Sequence, residues 1–251
     1  MALSKYTGNY TKAFLSTDVS PSDSIEHTYY NNLIEVGENE ACYIYSFKEN
    51  KLIFTKQIDA LFGIPKESLN MVLLNSIFEK DFNLFFKEFH DRLLLYLYNN
   101  KDHIQSFSCS YITRIKKFKF PILVNLKVLK TDDSGNLVSI IGRIKRHENL
   151  KTTKVIQYSL NGDFEEKFTN RINFGIDHSL CISEKNINLL EILESDKSLD
   201  KASETLSITK EEISRRISQL NDRYDLKSLD ELLEFSKANF LIPNQFKIFN
   251  L

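Results

Sequence analysis

Glycine is sparse in this chain, 7 of 251 residues, and no GxGxxG, P-loop, GxSxG or HExxH spacing is present. The common nucleotide cradles, the hydrolase nucleophile elbow and the zinc peptidase helix are therefore missing, and no enzymatic activity is expected. The three cysteines, Cys42, Cys109 and Cys181, are widely spaced and form no CxxC pair. That excludes a disulfide frame or a zinc knuckle and reads as buried thiols in a reducing compartment. No Pro/Gly/Ser-rich linker, low-complexity tract or internal repeat interrupts the chain, so domain boundaries must come from changes of periodicity. Nowhere do about 18 apolar residues run together, and the opening MALSKYTGNYTKAFLST lacks the continuous apolar stretch of a secretion signal. The expectation is a soluble, cytoplasmic protein without a membrane partner. Charge of one sign is lacking too: the net charge is −1. Binding to nucleic acid would then depend on a local patch rather than a global field.

What is present is a globular composition, 42% hydrophobic and 27% charged, in a chain long enough for one large domain or two ordinary ones. Ser20-Pro21 followed by SDSIEHTYYNNLIEV predicts a helix with Ile25, Tyr29, Leu33 and Ile34 on one side. From Ala41 to about Arg146 the order of elements is distinctive. ACYIYSF and LIFTKQ, separated by the turn KENK, read as strands. Helical pieces follow, ending in DFNLFFKEFHDRLLLYLYNN, whose length and apolar content favour a helix packed across a sheet. Three strand candidates close the region. Phe107, Cys109 and Tyr111 alternate in the first, Ile122, Val124, Leu126 and Val128 in the second, and Val138, Ile140 and Ile144 in the third. TDDSGN joins the last two as a hairpin turn. Two strands, several helices and three strands describe a five-stranded antiparallel sheet with helices, an α+β fold. Beyond it, KVIQYSLNGDFEEKF reads as a further hairpin turning at Asn161-Gly162.

Residues 41–147 resemble a PAS domain. IFEKDFNLFFKEF stands where many PAS domains open their long helix with a histidine-proline-aspartate turn, and DDSGNLVSIIG is similar to the final hairpin of the family. The chain departs at the turn, where Phe78-Glu79-Lys80-Asp81 keeps only the acidic residue. The resemblance implies a sensor domain with an apolar cavity under its sheet, the default site for a small-molecule ligand. His90 falls near the position of the haem ligand in haem-binding members, but a lone histidine in FFKEFHDRLL is more often a surface or packed residue. The reactive cysteine phrase of the flavin photoreceptors is missing before the long helix, so Cys42 and Cys109 are core candidates. Phe82, Phe85, Phe86, Phe89, Leu93 and Tyr96 read as core rather than as a cofactor box. No cofactor and no metal is expected.

From Ile182 the periodicity is helical. Ser183 can cap a helix burying Ile187, Leu190 and Leu193, and Ser198 a very short one holding Leu199, Ala202 and Leu206. Ser207-Ile208 then makes a turn. Thr209-Lys210-Glu211-Glu212 is a capping box, with Thr209 taking a free amide of the next helix and Glu212 reaching back. In that helix Ile213, Ile217, Leu220 and Tyr224 form one apolar stripe. Ser228-Leu229-Asp230-Glu231 starts a last helix with Leu232, Leu233 and Phe235. A short helix, a tight turn and a longer helix apolar on one side only make the layout of a helix-turn-helix. The other side of the longer helix can enter a major groove. It carries Lys210, Glu211, Ser214, Arg215, Ser218 and Asp222, with Arg216 and Arg223 at its flanks.

Residues 182–236 resemble the DNA-binding domain of the LuxR/GerE response-regulator families. Ser183-Glu184-Lys185 stands for their opening threonine-arginine-glutamate phrase, Lys201-Ala202 for the turn helix, and Ile213-Ser214-Arg215-Arg216 for the valine-lysine-x-histidine recognition phrase. The resemblance implies base reading from Ser214, Arg215 and Ser218, and phosphate contacts from Thr209, Lys210, Arg216 and Arg223. Ser214 replaces a usual cation and Arg216 a usual histidine, which implies an unusual preferred sequence. The pheromone-binding domain that often accompanies this family leans on tryptophan, of which this chain has none.

The resulting expectation is an N-terminal arm with an amphipathic helix (1–36), a PAS-like sensor (37–147), a hairpin linker (148–177) and an all-α, four-helix, LuxR-type domain (178–251). It would act as a transcriptional regulator binding double-stranded DNA as a homodimer, with Leu232, Leu233 and Phe235 as the seam between copies. A protein–protein adaptor is the alternative, because residues 178–251 hold 13 acidic side chains against 10 basic ones. A cofactor-loaded photo- or gas sensor is a third reading.

Overall fold

A computed structural model describes residues 25–65, 68–78, 89–90, 92–97, 99, 101–115, 121–147, 149–151, 154–161 and 181–249. The fold is α+β, with seven strands among the described residues. The chain divides into two compact units. Residues within 25–147 and 160–161 form one, and residues within 149–159 and 181–249 the other.

In the first unit, α1 (Ile25–Leu33) precedes β1 (Glu40–Ser46) and β2 (Lys51–Lys56). Two short helices, α2 (Ile58–Phe62) and α3 (Met71–Ser76), follow, and residues 92–97 are helical. The unit closes with β3 (Ser108–Arg114), β4 (Pro121–Thr131) and β5 (Leu137–Arg146). These five strands lie in the order β2-β1-β5-β4-β3, every neighbour antiparallel. Positions 41–46 of β1 are all buried, so this strand is covered on both faces. On one face Cys42, Ile44, Ile53 and Phe54 pack against Tyr30, Ile34 and Val36. On the opposite face Tyr43 lies across from Gly142, and a Cβ built on Gly142 would stand 2.2 Å from the Tyr43 ring. Glycine at this register position is what lets the ring lie flat on the sheet. Asp132 folds the β4–β5 turn by accepting from the amides of Ser134 (2.9 Å) and Asn136 (2.8 Å).

Of the face expected on α1, Ile25, Tyr29 and Leu33 are 90%, 59% and 60% exposed, whereas Ile34, just beyond the helix, packs on the sheet together with Tyr30. Both stripes have helical spacing, and it is the aromatic contact of Tyr30 with Phe54, at 5.9 Å, that marks the buried one. His90 is packed at 8% exposure, edge-on to Tyr111 with centroids 5.9 Å apart. Phe89, Leu93 and Tyr96 are core residues, as expected; Phe82, Phe85 and Phe86 lie outside the described residues. All three cysteines are buried and none forms a disulfide, and burial pushes the Cys42 thiol up to about 12.

The second unit is not all-α. β6 (Ile156–Leu160) and β7 (Cys181–Ser183) run parallel, with Ile156 opposite Cys181 and Tyr158 opposite Ser183. A three-residue strand is too short to show a period of two, which is why the sequence reads only helix from Ile182. The helices are α4 (Glu184–Ser195), α5 (Leu199–Leu206), α6 (Lys210–Tyr224) and α7 (Leu229–Ala238). Of the segment expected as a linker, the described residues up to Ser159 belong to this unit. The amide of Lys151 donates to Gln245 Oε1 at 2.6 Å, and Gln157 Nε2 donates to the Phe240 carbonyl at 3.4 Å. β6 ends at Leu160, and the expected hairpin beyond Asn161 lies outside the described residues.

Candidate nucleic-acid interface

Each helix of the second unit begins where a hydroxyl replaces a missing intrahelical acceptor. Ser183, Ser198, Thr209 and Ser228 accept from the amides of Asn186, Lys201, Glu212 and Glu231. The turn between α5 and α6 is held from within. Ser207 takes a left-handed conformation, φ 54, the Ile208 amide donates back to the Ser203 carbonyl at 3.3 Å, and the Ser203 hydroxyl donates to the Ile208 carbonyl at 2.6 Å. Thr209, in extended backbone, then starts α6. The sharp turn brings the apolar side of α6 inward. Ile213 and Leu220 are 0% and 1% exposed, and Ala202 of α5 is fully buried.

The opposite side of α6 is open to solvent. Lys210, Glu211, Ser214, Arg215, Ser218 and Asp222 are exposed there, with Arg216 and Arg223 half-buried at its edges. The predicted base-reading trio, Ser214, Arg215 and Ser218, thus lies on one exposed helix face, within four residues of one another. The predicted phosphate-binding residues are more engaged. Thr209 serves as the cap. Lys210 pairs with Asp200 of α5, which raises its pKa. Arg223 Nη1 donates to the Cys181 carbonyl at 3.3 Å. Arg216 gives its Nε to Glu212 Oε1 at 2.7 Å.

Glu212 departs from its expected part in the capping box. Its carboxylate receives Arg215 Nε at 2.8 Å and Nη2 at 2.7 Å in addition to Arg216. These donors, Arg215 first, lower its pKa to about 2. Two guanidinium groups within one turn outcompete a single neutral amide for the carboxylate. In the second predicted box, Glu231 does reach back, but to the amide of Lys227 at 2.8 Å, one residue before the cap.

Of the three residues expected to form a seam on α7, Leu232 and Leu233 are 0% and 2% exposed within their own chain and belong to its core. Phe235 is half-buried and stacks on Tyr224 with centroids 4.5 Å apart. The stripe Leu232, Leu233 and Phe235 has the same spacing for a core as for an interface, and the need to cover α4 and α6 decides between them.

No family model and no curated protein matches the sequence. Among solved structures the chain is similar to a phage VqmA–DPO complex, at 11% identity over 87% of this chain and 90% of that one, with a TM-score of 0.35. It is similar also to a Vibrio cholerae VqmA dimer solved in the absence of target DNA and described among LuxR-type receptors. There the identity is 10% over 87% and 89% of the two chains, with a TM-score of 0.31. A Vibrio cholerae VqmA–ligand–DNA complex gives 11%, 88%, 90% and 0.26.

Residue-level features that the sequence reading passed over are Glu212 as a shared anion, Asp200 as the partner of Lys210, and the Cys181 carbonyl as an anchor for α6. The first had a visible signal. Glu212 precedes Arg215 by three residues and Arg216 by four, the spacing of helical ion pairs. The other two join residues ten and about forty positions apart, where no periodicity reaches. Among the described residues no group of three or more potential ligands is placed to hold a metal, and no helix is long and apolar enough to cross a membrane.

Proposed function

We propose that this chain is a DNA-binding transcriptional regulator in which a PAS-like domain senses a ligand or protein partner. The helix-turn-helix of the C-terminal unit would bind promoter DNA, with two copies acting together. The observation that carries this reading is the arrangement of α5, its three-residue turn and α6. The turn is fixed by Ser203, Ser207 and Thr209, and α6 buries Ile213 and Leu220 while turning Ser214, Arg215 and Ser218 outward. A helix so mounted can lie in a major groove with its N-terminal half against base edges. The strand order β2-β1-β5-β4-β3, with helices between β2 and β3, supports the sensor reading. In this account Ser214, Arg215 and Ser218 read bases. Thr209, Lys210, Arg216 and Arg223 hold phosphates, the cations among them exchanging Asp200, Glu212 and the Cys181 carbonyl for the backbone of the duplex.

The acidic excess of residues 178–251 favours the adaptor as a second reading, in which the helical unit docks on another protein. A salt titration of the full chain on random-sequence duplex separates the two. Three cations on phosphate predict a slope near −3 in log affinity against log salt for each protomer, at about −0.9 per phosphate. A response without slope at moderate salt favours the adaptor and removes the DNA reading.

A further inference from the structure

Glu212 and Arg215 meet through two parallel hydrogen bonds, 2.8 Å from Nε and 2.7 Å from Nη2. Such a fork fixes the plane of the guanidinium as well as its position. A guanidinium has two edges able to meet a pair of acceptors, a side-on edge of Nε with one terminal nitrogen and an end-on edge of the two terminal nitrogens. Here the side-on edge lies against the carboxylate. The O6 and N7 acceptors of a guanine would therefore be met by the end-on edge, in one orientation. The same carboxylate holds Arg216 at 2.7 Å, close along the helix with only 18% of its side chain exposed. Glu212 itself is 26% exposed, near enough to the face to place a negative charge beside any duplex seated there. One side chain thus orients the arginine expected to read a base and subtracts from the attraction of the face for phosphate in general.

From this geometry we infer that Glu212 is a positioning residue that sets sequence discrimination, by fixing the edge Arg215 presents to a base and by weakening unselective phosphate contact. The inference rests on the DNA-binding reading above.

The test compares full-length wild type with Glu212→Gln. The variant keeps the size of the side chain, and the cap of α6 belongs to Thr209. Two measurements are made: the salt dependence of binding to random-sequence duplex, and the sequences selected from a randomised duplex pool. Glu212→Gln is expected to bind random duplex more tightly, with a slope steeper by about one phosphate. Its selected pool should lose about tenfold in preference at the base pair read by Arg215. In an Arg215→Lys background, where no guanidinium edge exists to be chosen, the same change should leave the pool unaltered.

An unchanged pool in the Arg215 background overturns the inference, even with a steeper slope, since charge alone then accounts for the effect. A pool that shifts equally in the lysine background overturns it as well. If wild type itself shows no salt-dependent binding, it is the DNA-binding reading that fails. Wild-type binding with unaltered variant behaviour removes the role of Glu212 and leaves that reading standing.

Discussion

The phenol of Tyr224, in the last turn of α6, donates to the carbonyl of Cys181 at the head of β7 across 3.1 Å. Arg223, its neighbour, reaches the same oxygen. Two successive side chains thus fasten the end of the candidate recognition helix to the strand that leads into Ser183, the cap of α4. Stacking of Tyr224 on Phe235 ties α7 to the same point.

Removing the hydroxyl with Tyr224→Phe keeps the ring stack and should cost about 1 kcal/mol of stability. Arg223→Ala should cost a similar amount, and because both donors share one acceptor the double variant should show coupling of about 0.5 kcal/mol or more. Urea denaturation of the four members of this cycle measures it. Strict additivity would mean that the shared carbonyl is not what holds the helix end.

Gly142→Ala should be among the more damaging single-methyl changes in the first unit. The added carbon would stand 2.2 Å from the ring of Tyr43, which is itself 6% exposed and has little room to swing aside. Overpacking of this kind costs about 1–3 kcal/mol. A smaller partner, as in Gly142→Ala with Tyr43→Leu, should recover part of the loss in a urea midpoint. Equal damage with and without the Tyr43 ring would assign the cost to the strand backbone instead.

The Glu212 carboxyl should titrate far below an ordinary glutamate. Arg215 and Arg216 hold it at about 2 when folded, against about 4.3 for an unperturbed side chain. A depressed folded pKa means that the ion pairs contribute fully above the unfolded value and are lost as pH falls through the folded one. The stability difference between wild type and Glu212→Gln should therefore shrink between about pH 4.3 and pH 2. Solvent screening keeps it under about 1 kcal/mol at neutral pH. Carboxyl carbon NMR reads the titration directly, and a midpoint near 4.3 would show that the two arginines do not hold the group in solution.

Local chemistry was legible in this sequence and long-range pairing was not. Ser183, Ser198, Thr209 and Ser228 were readable as caps because a hydroxyl three residues before a free amide has one dominant use, and all four accept that amide. The strands β3, β4 and β5 were readable from their alternation. Burial faces were harder. On α1 the stripe of Ile25, Tyr29, Leu33 and Ile34 is split: Ile34 packs with Tyr30 on the sheet and the other three do not, because the position of Phe54 decides which side turns inward. Leu232 and Leu233 posed the same ambiguity between core and interface. On α6 the outward placement of Ser214, Arg215 and Ser218 followed from the Ile213–Leu220 stripe, whereas the grip of Glu212 on two arginines depended on rotamers that spacing does not specify.

The parallel pairing of β6 with β7 carries a consequence for dissecting the molecule. Gln157, fully buried, gives its side-chain amide to the Phe240 carbonyl, and the backbone N–H and carbonyl of Lys151 exchange hydrogen bonds with the side-chain amide of Gln245. A fragment cut at residue 178 would strip β7 of its neighbour and expose Cys181 and Ile182 along a bare strand edge. Excising the helical half with its architecture intact requires a boundary upstream of Asn149, so that the strand travels with the helices it supports.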